Sequence, residues 1–288
     1  MLLIKIVYDV VKIKQGRRRI NGLSHYSRSK NQPNNQFPGI TCGIIASVFY
    51  HIKIIMKIFF FLFGLLLYFV ELSASPPRSF PQAKTIVYKL FAKHPQRLYC
   101  NCRFDSKHQV DLNSCHMISA INKKRAHKVE VEHIYPMDAV GHNLTCWQTT
   151  ICEHHGKHYK GRKCCEKSNY HFRQMESELY NLWPAVGLVN IARSNYLYAE
   201  VDSTDKFYGC DFKINKSSKE VEPANKVKGI VARATLFMSD KYQIPLVENK
   251  RQLYLSWNKA FPPSKWEKEW ALKVATIEGY SNPYILVE

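Results

Sequence analysis

Apolar and polar positions change period several times along the chain, and each change marks an element. Near the end, Trp266, Trp270, Val274 and Ile277 recur at the three-to-four spacing of one helical face. Pro262-Pro263 precedes Ser264 and Glu267 follows at capping-box spacing, so a helix is expected over 264–278. Its aromatic residues read as core and not as platforms for bases. Two further helices are expected over 225–242 and 248–260. Phe172, Met175 and Leu179, at i, i+3 and i+7, predict a helix from Phe172 to Trp183 that Pro184 ends. A period of two takes over at Val129-Glu130-Val131-Glu132-His133-Ile134, which reads as a strand with acidic and imidazole groups on one end or face. Residues 76–97 read as a linker and a first helix, and 98–112 as a short irregular segment tied by disulfides. Between Trp147 and Phe172 no apolar period holds, so a long disulfide-held loop is expected.

An apolar run of another kind spans Ile58 to Val70, opened by Met56-Lys57 and followed by Ser73-Ala74-Ser75. It is too short to cross a bilayer comfortably, and small residues follow at cleavage spacing. The reading is an export signal over 56–75, removed near Ala74 or Ser75, with residues 1–55 an upstream extension outside the mature fold. Residues 76–288 then form the working domain, periplasmic or secreted, with no stable membrane anchor.

Lys and Arg number 42 against 23 Asp and Glu, a formal charge of +19 on 288 residues. Residues 1–75 hold ten of the basic and two of the acidic residues, which leaves 32 against 21, or +11, on 76–288. Such a field draws polyanions, nucleic acid first among them. With 45% hydrophobic residues the chain can bury a core, so disorder is not the expectation. Eight cysteines follow residue 75, an even number that in an exported chain favours up to four disulfides; spacing leaves the connectivity open. Cys152, His154, His155 and His158, with Cys164-Cys165 beyond, keep a structural zinc site as the alternative.

Adjacent Glu132 and His133 at a strand end are weak evidence alone. They stand, however, in an ordered series: Tyr99-Cys100-Asn101-Cys102, Val129 to Pro136, Cys146-Trp147-Gln148, Gly161-Arg162-Lys163, Met175-Glu176-Ser177, Asn181-Leu182, and Pro184-Ala185-Val186-Gly187 with Val189-Asn190. Gly229 to Arg233, Trp257-Asn258-Lys259 and Asn282-Pro283-Tyr284 follow in turn. In this series the chain resembles the endonuclease I family of periplasmic and secreted bacterial nucleases across nearly all of 98–284.

The resemblance implies a single α+β domain, mainly helical, with a small antiparallel sheet and a ββα-metal nuclease centre. It implies that His133 is the general base, that Glu132 and Asn190 hold the metal, and that Arg162 contacts phosphate. Asn181 is implied to orient the site by hydrogen bonding, with a direct ligand role left open. A histidine can take a proton from water near neutral pH, and hard oxygen ligands suit magnesium. The expected activity is sequence-nonspecific endonuclease cleavage of DNA and RNA by a monomer, giving 5′-phosphate ends. The rivals are a secreted nucleic-acid-binding protein that lacks catalysis and a disulfide-rich adhesion module.

Three departures from the family pattern stand out. The segment Thr149–Lys160 is longer than the corresponding loop. No cysteine follows Cys210, so Cys152 and Cys164 are expected to form their own bridge. Tyr180 occupies a position where the family commonly shows histidine.

Overall fold

The computed structural model describes residues 51–60, 75–94 and 98–286. Residues 1–67 and 68–288 are separate compact units. In the first, residues 51–60 are helical with exposed side chains. The remainder of the expected extension and export signal, residues 1–50 and 61–74, lies outside the described residues. Among the described residues no helix is long and apolar enough to cross a membrane.

The second unit is α+β and mainly helical. Helix α1, Phe80–Phe91, carries Pro81 in its first turn and buries Ala83, Val87 and Phe91, one stripe at i, i+4 and i+8. Two short pairs follow: β1, Arg103–Phe104, with β2, Val110–Asp111, and β3, Val129–His133, with β6, Leu182–Val186, antiparallel. Between β3 and β6 lie α2, Met137–Gly141, α3, Thr145–Gln148, the hairpin β4, Cys152–His154, with β5, Lys157–Tyr159, and then α4, Arg162–Ser168, and α5, Tyr170–Ser177. Helix α6, Gly187–Arg193, leaves β6 directly. Strands β7, Leu197–Tyr198, β9, Glu220–Pro223, and β8, Phe212–Asn215, make a three-stranded sheet with β9 central. Helices α7, Asn225–Tyr242, α8, Glu248–Ala260, and α9, Lys265–Glu278, close the chain within a residue of their expected bounds.

Two expectations need correction. The helix expected over Phe172–Trp183 stops at Ser177; a single turn, Leu179–Asn181, intervenes, and Leu182-Trp183-Pro184 belongs to β6. The backbone of β3 needs a partner inside the core, and that demand outweighs a local helical spacing. Pro184 fits because a two-stranded sheet has only edge strands. The long loop of 147–172 is in fact a hairpin and a helix, stabilised by cross-links in place of an apolar stripe.

The cysteines pair as Cys100–Cys210, Cys102–Cys115, Cys146–Cys165 and Cys152–Cys164. The last is the separate bridge expected inside the 149–165 segment, and it removes both sulfurs from any zinc site. Among the described residues no three His, Cys, Asp or Glu side chains gather to hold a metal.

In the core, Phe91 meets Trp183, Trp266 and Trp270 at centroid distances of 4.9, 5.1 and 6.2 Å. The aromatic face of α9 is therefore core, as its period predicted. Ser264 accepts from Glu267 N at 3.1 Å, but the Glu267 carboxylate turns inward to Arg233, so only half of the capping box forms.

Two acidic residues, Glu178 just after α5 and Glu278 at the end of α9, are buried together. Glu178 and Glu278 share the Tyr280 hydroxyl, which donates to them at 2.7 and 3.1 Å. Burial, and then the Glu178 charge, pushes Glu278 up to about 8; burial also raises Glu178. The folded protein thus keeps a proton that the unfolded chain releases, so this contribution to stability declines as pH rises from about 4.5 to about 8. His133, lowered to about 3, acts with the opposite sign but only below its ordinary value of 6.5. Between pH 6.5 and 8 the urea midpoint of the chelator-treated protein should therefore fall, and Glu278→Gln should shrink that fall. A midpoint that rises across this interval would count against the assignment.

Candidate active site

The strand pair β3–β6 sets Glu132 opposite Trp183 and His133 opposite Leu182. Because α6 starts where β6 ends, it folds back toward the acidic residues of β3. Gly187 makes the close return possible: a Cβ there would lie 2.8 Å from Glu130 Oε1 and 2.9 Å from the Arg125 carbonyl oxygen. Beside this ββα unit lies a cavity of about 680 Å³, walled by β3, by Asn190 and Arg193 of α6, by Arg162 at the start of α4, and by Phe80, Lys84 and Tyr88 of α1.

His133 is 7% exposed, and its ring lies 4.6 Å from that of Phe80. Nε2 is 2.9 Å from the Glu176 carbonyl oxygen. A carbonyl only accepts, so Nε2 carries the hydrogen and Nδ1 keeps its lone pair. Burial, and then the charge of Arg162, lowers His133 to about 3, so the ring is neutral at neutral pH.

Glu132 is 3% exposed. The Tyr99 hydroxyl donates to its Oε1 at 2.8 Å, and Arg193 Nη1 lies 3.0 Å from the same atom. Burial outweighs Arg193 and pushes this carboxylate up to about 7. Arg193, itself buried, also donates to the carbonyl oxygens of His133, at 2.8 Å, and of Ile134. It therefore ties the end of α6 to the end of β3.

Asn190 Nδ2 donates to Glu130 Oε2 at 3.0 Å, and Arg125 Nη2 reaches the same oxygen at 2.5 Å. With the amide held by its nitrogen, Oδ1 is the atom left for a cation. Glu132 likewise has both bonds on Oε1, which leaves Oε2. These hard oxygen donors in one cavity suit a hard divalent cation.

Arg162 follows Gly161, whose φ of 84° and ψ of −161° suit only glycine. Its Nε donates to Glu176 Oε1 at 2.6 Å, and its guanidinium lies 5.1 Å from the centre of the Phe80 ring. Among the described residues neither Nη group has a hydrogen-bond partner, so both remain for an anion. Bridges from Cys164 and Cys165 fix α4, and with it the base of Arg162.

The fold thus brings Glu132, His133, Arg162 and Asn190 to one cavity and keeps Asn181 out of its lining. Asn181 is buried, accepts from Tyr135 N at 2.6 Å and donates to Tyr135 O at 3.0 Å. Its amide is spent on the backbone just beyond β3, so it holds the strand end by hydrogen bonding and stands outside the cavity where a ligand would sit. Sequence reasoning missed Glu130, Arg193 and the two functions of Glu176. Glu176 stands inside a motif that carried the resemblance; Arg193 gave no signal, since a lone arginine normally reads as solvated.

The arrangement is a ββα unit: β3 presents an imidazole and a carboxylate, and α6, which follows β6, presents an amide. A family model described as Endonuclease I matches residues 80–287. The chain is 34% identical over 213 residues to an extracellular deoxyribonuclease of Aeromonas hydrophila, covering 72% of this chain and 89% of the relative. It is 36% identical over 213 residues to Endonuclease-1 of Buchnera aphidicola subsp. Acyrthosiphon pisum, with 72% and 80% covered. A periplasmic deoxyribonuclease of Aeromonas hydrophila is 33% identical over 225 residues, with 76% and 90% covered. The chain belongs to the endonuclease I family and is a nuclease. Its relatives and its four disulfides put it outside the cytoplasm, in the periplasm or beyond the cell.

Proposed function

We propose that the protein is a magnesium-dependent, sequence-nonspecific endonuclease that hydrolyses phosphodiester bonds of DNA and RNA as a monomer. The observation that carries this reading is a neutral His133, locked through Nε2 onto Glu176 O, in the same cavity as the free oxygens of Glu132 and Asn190 and the open fork of Arg162.

Arg162 binds the scissile phosphate with its Nη groups while Glu176 and Phe80 hold it in place. Burial is the main cause of the depression of His133 and Arg162 the second; the arriving phosphate offsets the Arg162 part, so the imidazole becomes more basic as substrate binds. Nδ1 then takes a proton from a water aligned with the phosphorus, and attack in line expels the 3′-oxygen, leaving 5′-phosphate ends. A magnesium ion held by Glu132 and Asn190 would supply charge neutralisation at the phosphate and at the leaving oxygen. Contacts confined to phosphate explain weak sequence preference and strong salt sensitivity, and nothing in such a site demands a deoxyribose. The names of the relatives, deoxyribonuclease and endonuclease, agree with the DNA part of the reading.

Supercoiled plasmid incubated with residues 76–288, oxidised, should become nicked and then linear with magnesium and stay intact with chelator. Tight plasmid binding without cutting at any divalent-ion concentration would favour the non-catalytic binding protein.

A further inference from the structure

The β4–β5 hairpin is a feature the proposed chemistry leaves unused. Its residues 153–158 are all exposed, and Cys152 is its buried member. The two-residue turn His155-Gly156 has φ of 48° and 73°, the left-handed pair that closes a tight hairpin. A two-stranded hairpin alone is marginally stable in water. Here Cys152–Cys164 ties β4 to α4, and Cys146–Cys165 ties α4 to α3. Two cross-links therefore hold rigid an element that adds almost nothing to the core, so what they preserve is its surface.

That surface is cationic and rich in hydrogen-bond donors: His154, His155, Lys157, His158 and Lys160 against Glu153 alone. Among the described residues Lys157 forms no ion pair, while Lys160 Nζ is turned back to Gln148 O at 2.9 Å. The hairpin also leads straight into the cavity, since β5 ends three residues before Arg162. Three residues span at most about 10 Å, and the strands extend about 10 Å more. The tip therefore lies within about 20 Å of the phosphate-binding arginine, which is about six base pairs at 3.4 Å per step.

We propose that the β4–β5 hairpin is an accessory arm that grips the sugar-phosphate backbone of duplex DNA a few base pairs from the phosphate held by Arg162. The arm rests on the nuclease reading only in that Arg162 marks the scissile phosphate. Lys157 supplies the fixed charge and the imidazoles supply donors; disulfide rigidity keeps the ordering cost of the contact low.

The test compares the unaltered protein with Lys157→Glu/His158→Ala in two measurements: binding under chelator to a duplex of about 30 base pairs over a range of salt, and single-turnover cleavage of that duplex with magnesium at saturating protein. The double variant should bind about tenfold more weakly, with a salt slope shallower by about one. At saturation its cleavage should stay within about twofold of the unaltered rate. Lys273→Glu, on the exposed face of α9, makes the same change in net charge and should match the unaltered protein in both. No loss of binding, loss matched by Lys273→Glu, or cleavage at saturation that falls as far as binding would overturn the arm. Plasmid nicking by the unaltered protein with magnesium reports separately on the nuclease reading.

Discussion

His133→Ala should slow DNA cleavage by about 10²–10⁴-fold at saturating magnesium while duplex binding under chelator stays within a few-fold. The effect is large because one nitrogen of this ring is committed: Nε2 is held by Glu176 O, so Nδ1 alone can accept the proton of the attacking water. Alanine removes that acceptor and leaves the Arg162–Glu176 pair and the Glu132–Arg193 pair in place. The check is a single-turnover time course on a labelled duplex, with binding measured alongside. Cleavage within threefold of the unaltered rate would remove His133 from the chemistry and leave the nuclease without its proposed base. Equal collapse of binding and cleavage would mean that the ring supports the site structurally, against Phe80, more than it reacts.

The largest effect on stability should come from Arg233→Met, far from the cavity. Arg233 and Glu267 are both buried, at 1% and 3% exposure, and pair through two bonds of 2.7 and 2.6 Å. A third bond, Arg233 Nη1 to Phe261 O at 2.8 Å, ties α7 to the end of α8, while Glu267 belongs to α9. Removing the cation strands the Glu267 carboxylate in the core, at a cost of about 3–5 kcal/mol. For a domain of this size that corresponds to a fall in Tm of about 10 °C. Adding Glu267→Leu should recover much of the loss, because the stranded charge is then gone. Cleavage per folded molecule should be unchanged in both variants. Circular-dichroism melts decide it: a single variant within 2 °C of the unaltered Tm, or a double variant worse than the single, would show that the pair does not join the three helices in this way.

The contrast between these two residues and their neighbours shows what could be read from the chain. Trp266, Trp270 and Val274 announced α9 because a helix repeats every 3.6 residues and leaves that repeat in the sequence. The alternation from Val129 to Ile134 announced β3 for the same reason. Phe172, Met175 and Leu179 carried an equally regular spacing, yet their helix ends at Ser177, because the residues beyond it are needed as the partner strand of β3. The segment 149–168 has structure without an apolar period, since two disulfides and a left-handed turn do the ordering there.

The sequence by itself determined β3 and the three closing helices, the basic charge, the even set of cysteines, and the adjacency of Glu132 and His133. Each of these depends on neighbours within a few positions or on simple counts. Tertiary structure alone decided that the Glu176 carbonyl selects the tautomer of His133, that Arg193 pairs with Glu132, that Glu130 turns the Asn190 amide, and that Asn181 serves the backbone beyond β3. Those contacts join residues 43 to 61 positions apart through the register of one strand pair and the start of one helix. No periodic pattern encodes such a register. It is set by the burial of both faces of β3–β6 and by the close return that Gly187 permits.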